Sequence, residues 1–401
     1  MPRSAMATLV ALYFFSQFYR AFLSVLYPAL ARDLGVDAVA LSNAQAAWFA
    51  VFAAAQLPLG WALDRYGPRR TVALVWAVGT GGGAAAFAAA SGPMGVIAAM
   101  GLIGLGCAPA LMGSLYIIGR IAPAARFAAI AGLIIGLGAM GNVAASAPMA
   151  AISEAIGWRA AMLILAAASL AMAVVVWRFA PDPAAPPPPE TPRRRRDSGF
   201  LAVIRLRALW PILPLAFMNY APAGALRSSW AGPYFETSFG LDEAGIGRAT
   251  LAMALGMALG ALAYGPLDRW VGGRKRAALA GNALLLTALL WLALAPVSSV
   301  IAATAAFVAV GFFGASFPVV MAHGQSFLPP HLLGRGVAFV NCFSVGGAGL
   351  MQFWSGGVFE RAAESGGAQA GFAAVFGLYA AALALALLVY AFSRERPAAA
   401  P

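Results

Sequence analysis

Residues 60–70 of the chain read GWALDRYGPRR, and residues 265–275 read GPLDRWVGGRK. Each stretch follows a long apolar run and contains an aspartate–arginine pair, then a glycine, then two basic residues. The two copies begin 205 residues apart in a chain of 401 residues. A repeat at about half of the chain length indicates an internal duplication, in which each half carries one copy of this loop.

The composition indicates a protein of the lipid bilayer. Hydrophobic residues make up 62% of the chain and charged residues only 10%. A water-soluble domain cannot cover that much apolar surface, whereas lipid accepts it directly. The two cysteines, Cys107 and Cys342, lie within apolar runs and are typical of small buried residues rather than of a disulfide or a metal site. We therefore expect a polytopic membrane protein with no metal and no cofactor.

Apolar runs of about 20 residues predict twelve spanning helices. They cover residues 6–30, 43–63, 71–90, 94–119, 127–152, 158–179, 209–236, 244–267, 276–295, 299–322, 335–359 and 371–392. The expected fold is an all-α membrane protein in which the twelve helices form two pseudo-symmetric six-helix bundles. Residues 1–180 would form the first bundle and 209–401 the second. Residues 181–208, rich in proline and arginine, would form the linker between them.

The positive charges are unevenly distributed between the two sides of this topology. Twenty of the 26 basic residues fall on the side of the termini and the linker, and the opposite side holds only four. Those four are Arg32, Arg159, Arg248 and Arg361. Such an asymmetry orients membrane proteins, so we expect both termini in the cytoplasm and the chain in a bacterial inner membrane. Because topology accounts for the charge of +12, no nucleic-acid partner is expected.

Two basic residues, Arg20 and Arg227, lie inside predicted spans. Each has a tyrosine seven residues before it and another seven residues after it, and these are Tyr13, Tyr27, Tyr220 and Tyr234. Seven residues is nearly two helical turns, so each set predicts one polar helix face. An arginine near the centre of a span costs roughly 2.5–3.5 kcal/mol on insertion scales, which water, a carboxylate or a ligand normally offsets.

The spans contain no acidic residue that would neutralise these arginines, because all fourteen acids lie at helix ends, in loops or in tails. A cavity with two positive charges attracts an anion, and the guanidinium fork matches carboxylate or phosphate. We therefore expect Arg20 and Arg227 to bind a small anion. Further candidates for the same cavity are Tyr13, Gln17, Ser24, Asn142, Asn219, Tyr220, Asn341 and Gln352. An interhelical hydrogen bond is the alternative role for these polar residues.

The loop at 60–70 resembles the signature Gly-x-x-x-Asp-Arg-x-Gly-Arg-Arg of the major facilitator superfamily, with Pro68 inserted before the basic pair. The resemblance covers essentially the whole chain and implies transport by alternating access. It also implies that this loop latches the two bundles when the cytoplasmic side is closed. The latch residues would be Gly60, Asp64, Arg65, Gly67 and Arg69, with Asp268 and Arg269 in the second copy. The alternative is that these charges only set the topology.

Departures from the family's patterns narrow the function. The superfamily's proton-driven drug exporters usually have an arginine where this chain has Met100, and a Gly-Pro element that its fifth span lacks. The arginines of spans one and seven are instead similar to those of the organophosphate:phosphate antiporters, and the first span also resembles that of the anion:cation symporters. In the symporters an aspartate involved in proton coupling often stands at the position of Tyr19, which puts proton symport in doubt.

We therefore expect a secondary transporter, not an enzyme, that acts as a monomer. Its substrate would be a small organic anion, for which a carboxylate is the simplest choice, and its other partner a coupling proton or a counter-anion. Two alternatives stay open. One is a carrier of neutral or zwitterionic compounds, or an exporter of drug-like compounds. The other is a non-transporting membrane sensor built on a transporter scaffold.

Overall fold

The computed structural model describes residues 2–183, 200–271, 273–295, 299–329 and 332–395. Regular structure in these ranges is helical, and every one of the twelve predicted spans contains helix. The expected all-α architecture is therefore confirmed. The greater part of the linker predicted at 181–208 lies outside the described residues.

Helices of the first six predicted spans follow one another with short connections. They are α1 (Arg3–Tyr19), α2 (Tyr27–Leu34), α3 (Ala38–Tyr66), α4 (Pro68–Val75), α5 (Gly82–Ala88), α6 (Pro93–Ile121), α7 (Ala124–Gly138), α8 (Met140–Ala144), α9 (Ala147–Ile156) and α10 (Trp158–Phe179). A π-helical segment, Trp76–Gly81, joins α4 to α5. Here Gly79 faces Gly106 of α6, where a Cβ atom would collide with backbone, so glycine allows the two helices to touch.

The remaining helices belong to the predicted spans seven to twelve, except the short α11. They are α11 (Phe200–Ile204), α12 (Leu213–Met218), α13 (Ala221–Ala225), α14 (Ala231–Phe239), α15 (Glu243–Trp270), α16 (Arg274–Leu294), α17 (Val300–Gly314), α18 (Phe317–Gln325) and α19 (Leu333–Ala391). A second π-helical segment, Leu226–Trp230, joins α13 to α14.

The connection predicted between spans eleven and twelve is helical, which corrects that boundary. Residues 360–366 continue α19, and the break is the single residue Gly367, with φ 75° and ψ 177°. The charges of Glu360, Arg361 and Glu364 end the apolar run, but they do not stop the helix, because glutamate and arginine are good helix formers. Gly367 turns the chain because glycine adopts a positive φ without steric cost.

Length and hydropathy alone identify eight described helices that suffice to cross a membrane, or nine if one bent pair counts as a single span. The lower number reflects interruptions rather than missing spans. The first and seventh spans are each divided into shorter helices, and α19 merges the eleventh and twelfth.

Prolines account for the breaks in the first and seventh spans. A proline cannot donate to the carbonyl four residues earlier, and its ring clashes with that group. Pro28 lies in α2, and the carbonyl that it leaves unpaired is that of Ser24, in the turns that join α1 to α2. Pro233 lies in α14, and the corresponding carbonyl is that of Ser229, in the second π-helical segment. The expectation that each tyrosine–arginine–tyrosine set shares one continuous helix face is therefore wrong.

Contacts between Cα atoms divide the chain into two compact units. Unit 1 contains residues 1–187 and 227–251, and unit 2 contains residues 188–226 and 252–401. The expected boundaries at 180 and 208 stay a prediction, because the contacts group residues 227–251, at the end of the seventh span and the start of the eighth, with the first six spans.

Candidate functional site

Arg20 lies where the first span is broken, in unit 1. α1 ends at Tyr19, and turns follow from Arg20 to α2. The guanidinium carbon lies over two rings of α3, at 5.1 Å from the centroid of Trp48 and 5.6 Å from that of Phe52. The rings themselves are stacked, with centroids 4.9 Å apart. Two aromatic faces therefore attract the cation within the apolar part of the span.

The backbone around Arg20 is tied to two neighbouring helices. Gln45 of α3 donates from Nε2 to the carbonyl oxygen of Arg20 at 3.4 Å. The hydroxyl of Tyr19 donates to the carbonyl oxygen of Leu165 at 3.0 Å and lies 2.9 Å from Oγ of Ser169, both in α10. These bonds hold the end of α1 in place, so that Arg20 projects from a fixed point of the broken span.

Arg227 is 3% exposed and also belongs to unit 1. Its Nη1 donates to Oδ1 of Asn142 at 3.0 Å, and its Nη2 donates to the carbonyl oxygen of Asn142 and to Oγ of Ser146, the latter at 3.0 Å. Asn142 lies in α8, and Ser146 lies at the break before α9. The interruption of the fifth span thus supplies oxygen acceptors to this buried cation.

The first span contacts Arg227 as well. Oγ of Ser24 donates to the carbonyl oxygen of Arg227 at 2.7 Å, and Ser24 is only four residues beyond Arg20. Nearby, Gly232 of α14 lies against Ser24 and Tyr27, and a Cβ atom added there would lie 2.7 Å from Cβ of Tyr27. Glycine is therefore required for this approach of α14 to α2.

The structure brings together several of the predicted site residues in unit 1. Arg227, Asn142 and Ser24 are directly hydrogen-bonded, and Arg20 follows Gln17 by three residues. Oε1 of Gln17 is buried without a hydrogen-bond partner among the described residues. Tyr13 is buried and packs against Gly138 of α7, where an added Cβ would collide with the tyrosine ring.

The other predicted substrate contacts lie in unit 2. Asn219 and Gln352 are completely buried, while Tyr220 and Asn341 are partly exposed. Neither polar side-chain atom of Asn219 has a hydrogen-bond partner among the described residues. A buried amide without a partner carries a desolvation cost of about 1–3 kcal/mol, which a polar ligand at Asn219 would offset.

The predicted latch loop makes its contacts within unit 1. Oδ1 of Asp64 accepts a hydrogen bond from the hydroxyl of Tyr116 at 2.8 Å, and Nη2 of Arg120 lies 3.9 Å from the same carboxylate oxygen. Nε of Arg69 donates to the carbonyl oxygen of Ala180, next to the end of α10, at 2.9 Å.

The remaining predicted latch residues are the two glycines, Arg65 and the second copy of the loop. Gly67 has φ 83° and separates α3 from α4, while Gly60 has open space around it and Arg65 is exposed. The side chains of Asp268 and Arg269 lie outside the described part of the chain, so their latch role stays a prediction.

The sequence reasoning missed four residues that contact the two arginines. Trp48, Phe52 and Gln45 surround Arg20, and Ser146 binds Arg227. The spacing of Trp48 and Phe52 by one helical turn was a visible signal, because residues four apart share a helix face. No feature of the sequence links Ser146 to a residue 81 positions away.

Comparison with known proteins identifies a family for this chain. The sequence model described as the Major Facilitator Superfamily matches residues 9–351. A probable galactarate/D-glucarate transporter, GudP of Bacillus subtilis (strain 168), is 26% identical over 169 residues. That match spans 41% of this chain and only 37% of the relative.

Solved structures resemble the whole chain. A bacterial homologue of the human lysosomal transporter Spinster, in an inward-facing and unoccupied conformation, has a TM-score of 0.77 at 16% identity and 98% coverage of both chains. A D-xylose–proton symporter has a TM-score of 0.74 at 14% identity, again with 98% coverage of both. At these identities the likeness shows the fold alone.

Proposed function

This chain belongs to the Major Facilitator Superfamily, and from that premise we propose that it carries a small organic anion, a carboxylate, across the bacterial inner membrane by alternating access. The chain is a multi-pass membrane transporter rather than an enzyme. The anionic substrate, the coupling and the orientation with both termini in the cytoplasm are the proposed part.

One observation carries the proposal: both intramembrane arginines are assembled in unit 1 and are joined through the first span. Arg227 binds Ser24 through its carbonyl oxygen, four residues from Arg20. Two guanidinium groups within predicted spans create a positive local potential, which favours an anion over a cation. The relative from Bacillus subtilis is named a probable galactarate/D-glucarate transporter, and because both of these sugar acids are carboxylates, the name supports the same substrate class.

The two arginines would have different tasks during transport. Arg20 lies over the rings of Trp48 and Phe52, which attract its charge, and its planar guanidinium matches the fork of a carboxylate. Arg227 would exchange its bonds to Asn142 and Ser146 for bonds to the substrate. In unit 2, Asn219, Gln352, Asn341 and Tyr220 remain the proposed contacts, with amide and hydroxyl groups that suit substrate hydroxyls.

A ligand screen on purified protein tests the substrate class. The thermal unfolding midpoint would be measured with sugar dicarboxylates, monocarboxylates, organophosphates and inorganic anions, because a ligand that binds the folded state stabilises it. We expect the largest increase with carboxylates, and the best of them should then show counterflow in proteoliposomes. Stabilisation by organophosphates alone would assign the site to phosphate esters instead.

The coupling mode is tested by the same proteoliposomes. Since every acidic residue lies at the end of a predicted span, in a loop or in a tail, we favour exchange against a second anion, or entry of a proton carried by the substrate itself. Exchange predicts that uptake requires an internal anion and persists without a pH gradient. Uptake that is driven by a pH gradient into liposomes without any internal anion would contradict exchange.

A second candidate function is transport of a neutral or zwitterionic compound. The specific observation in its favour is that Arg227 already donates to three oxygen acceptors of Asn142 and Ser146. Under this hypothesis the arginine is a structural element, and carboxylates do not compete for the site. This hypothesis would be favoured over anion transport by a neutral sugar or nucleoside that raises the unfolding midpoint and that carboxylates fail to displace.

A further inference from the structure

An apolar groove of about 540 Å³ runs between α1 and α7, and neither the transport function nor the arginine site uses it. Its walls include Ala7, Val10 and Phe14 of α1, and Leu133 and Leu137 of α7. Arg3, at the beginning of α1, also lines it. All of these residues belong to unit 1.

The two helices present matching stripes to this groove. Arg3, Ala7, Val10 and Phe14 are spaced by four, three and four residues, and this spacing places them on one face of α1. In α7 the same spacing connects Arg126, Ile130, Leu133 and Leu137. Each stripe therefore begins with an exposed arginine and continues with apolar side chains.

Arg3 lines one end of the groove, and the register of the two helices places Arg126 at the same level. α1 and α7 belong to the first and fifth spans, which cross the membrane in the same direction. Gly138 lies against Tyr13, and Gly141 lies against the backbone of Phe14 and Phe18. Residues of α1 are therefore level with residues 123 to 127 positions later in the chain. Arg3 and Arg126 differ by 123 positions, so the two charges occupy one level.

The glycine contacts also close the other end of the groove. At Gly138 and Gly141 the helices touch so closely that a Cβ atom would collide with α1, which leaves no room beyond Phe14. From Arg3 to Phe14 the groove extends for eleven residues, or about 16 Å at 1.5 Å per residue. This is about half of the ~30 Å hydrocarbon thickness of a bilayer, which is the depth of one leaflet.

Among the described residues, no acid forms an ion pair with Arg3 or Arg126. The ion pairs Arg32–Asp33 and Arg120–Asp64 involve other arginines. Two arginines above an apolar channel of one leaflet's depth match a molecule with a negative head and a long apolar chain. A soluble anion would leave the channel unused, and a zwitterionic lipid would bring a positive group to two positive charges.

We propose that this groove, formed by α1 and α7, is a binding site for one anionic phospholipid of the leaflet at which the chain begins. An acyl chain lies between Ala7, Val10, Leu133 and Leu137, and the phosphate of the headgroup accepts hydrogen bonds from Arg3 and Arg126. The site is separate from Arg20 and Arg227, and it holds a component of the membrane rather than the transported substrate.

Thermal unfolding with added lipids tests the site. The full-length protein in a neutral detergent would be mixed with phosphatidylglycerol, with phosphatidylcholine of the same acyl chains, or with inorganic phosphate. We expect phosphatidylglycerol to raise the unfolding midpoint most, and inorganic phosphate to have no effect. Equal effects of the two lipids, or an equal effect of inorganic phosphate, would overturn the proposal.

Three variants locate the effect. Arg3→Gln with Arg126→Gln removes the charges, and Ala7→Phe fills the channel without changing any charge. Arg178→Gln is the control, because Arg178 is an exposed arginine at the end of α10, a helix that contributes no residue to the lining of the groove. The lipid-specific shift should disappear in the double variant and in Ala7→Phe, and persist in the control.

Native mass spectrometry gives an independent count of bound lipid. The parent and the control should retain one phosphatidylglycerol at detergent concentrations that strip the others, and Ala7→Phe should retain none. Ala7→Phe keeps Arg3, whose charge contributes to the membrane orientation of the chain. Loss of lipid from this variant therefore does not reflect altered insertion. Retention by Ala7→Phe equal to that of the parent would contradict the proposed site.

Discussion

Arg20 and Arg227 occupy corresponding places in the sequence repeat, yet their surroundings in unit 1 differ in chemical character. Arg20 lies over the rings of Trp48 and Phe52. Arg227 donates to oxygens of Asn142 and Ser146, and its own carbonyl oxygen accepts from Ser24. The two copies of one sequence pattern therefore have different local structures around their arginines.

The difference concerns how each cation is stabilised and what a ligand would have to displace. An aromatic face stabilises a guanidinium by its quadrupole, about 0.5–2 kcal/mol, without oxygen acceptors. Amide, carbonyl and hydroxyl oxygens form directed bonds that are lost when a ligand takes their place. Arg227 must give up three hydrogen bonds before it binds a ligand, so we expect the net gain from its ligand contacts to be small.

Substitution of Arg20 should have the largest effect. Arg20→Gln removes the positive charge, and a hydrogen bond to a charged group is worth about 1.5–3 kcal/mol, so kcat/KM for anion uptake should fall roughly 10- to 150-fold. Arg20→Lys keeps the charge but not the fork, and should recover part of this loss. Initial uptake rates in proteoliposomes with equal amounts of protein provide the measurement.

A suitable control for this experiment is Arg248→Gln. Arg248 is an exposed arginine of α15 in the same unit, so its loss changes the net charge equally without touching the site. If Arg20→Gln and Arg248→Gln transport alike, Arg20 does not bind the anion.

The next effect in size is expected from Asn142→Asp. This change places a carboxylate at the atom that now accepts from Nη1 of Arg227 at 3.0 Å, and so supplies an internal competitor for the substrate. We expect anion transport to fall about tenfold, which corresponds to about 1.4 kcal/mol, while the unfolding midpoint rises because the new carboxylate pairs with the buried guanidinium of Arg227.

Ser146→Ala sharpens the same comparison. It removes one acceptor of Arg227 without adding a charge, and should change anion transport far less than Asn142→Asp. Unchanged anion transport by Asn142→Asp, together with a raised unfolding midpoint, would mean that Arg227 is purely structural, as the neutral-substrate hypothesis requires.

A smaller effect should follow from Gly232→Val, measured as thermal stability. The added side chain would meet Ser24 and Tyr27, so α14 would withdraw from α2 and weaken the bond from Ser24 to Arg227. Overpacking costs about 1–3 kcal/mol, which should lower the unfolding midpoint by a few degrees. Gly136→Val is the control, since an added Cβ at Gly136 meets nothing within 4 Å. An equal loss in both variants would mean that close packing at Gly232 does not support Arg227.

The sequence predicted the positions of the twelve spans because the bilayer imposes a length of about 20 apolar residues on each. It did not predict where those spans are broken. Pro28 and Pro233 were visible, but proline is tolerated within other helices of the same chain, such as α3 at Pro58 and α6 at Pro109. Whether a proline interrupts a helix depends on what packs around the carbonyl that it leaves unpaired.

The candidate site was predictable only in its charges. An arginine in a span is conspicuous, because its burial must be offset, and this identified Arg20 and Arg227. The groups that offset the burial were not predictable, since Asn142 and Ser146 come from a break in another span. The grouping of residues 227–251 with unit 1 depends likewise on tertiary contacts that a repeat pattern does not encode.

The smallest expected effect concerns the aromatic surroundings of Arg20. Trp48→Leu removes a ring face beneath the guanidinium, whereas Trp48→Phe retains one of smaller size. A cation–π contact is worth about 0.5–2 kcal/mol, so KM for the anion should rise severalfold in Trp48→Leu and less in Trp48→Phe, with little change in kcat. Uptake measured over a range of substrate concentrations separates the two kinetic parameters.

Trp61→Leu provides the control within the same helix, because Trp61 is 61% exposed near the end of α3 and lies far along the chain from Arg20. Loss of packing alone would affect Trp48→Phe and Trp48→Leu through their volumes, and would lower the unfolding midpoint of both. Loss of the aromatic face would instead raise KM more in Trp48→Leu than in Trp48→Phe, even where the two variants have similar unfolding midpoints. If KM is the same in Trp48→Leu, Trp48→Phe and Trp61→Leu, the rings do not position Arg20 for its ligand, and the contrast between the two arginines is one of packing only.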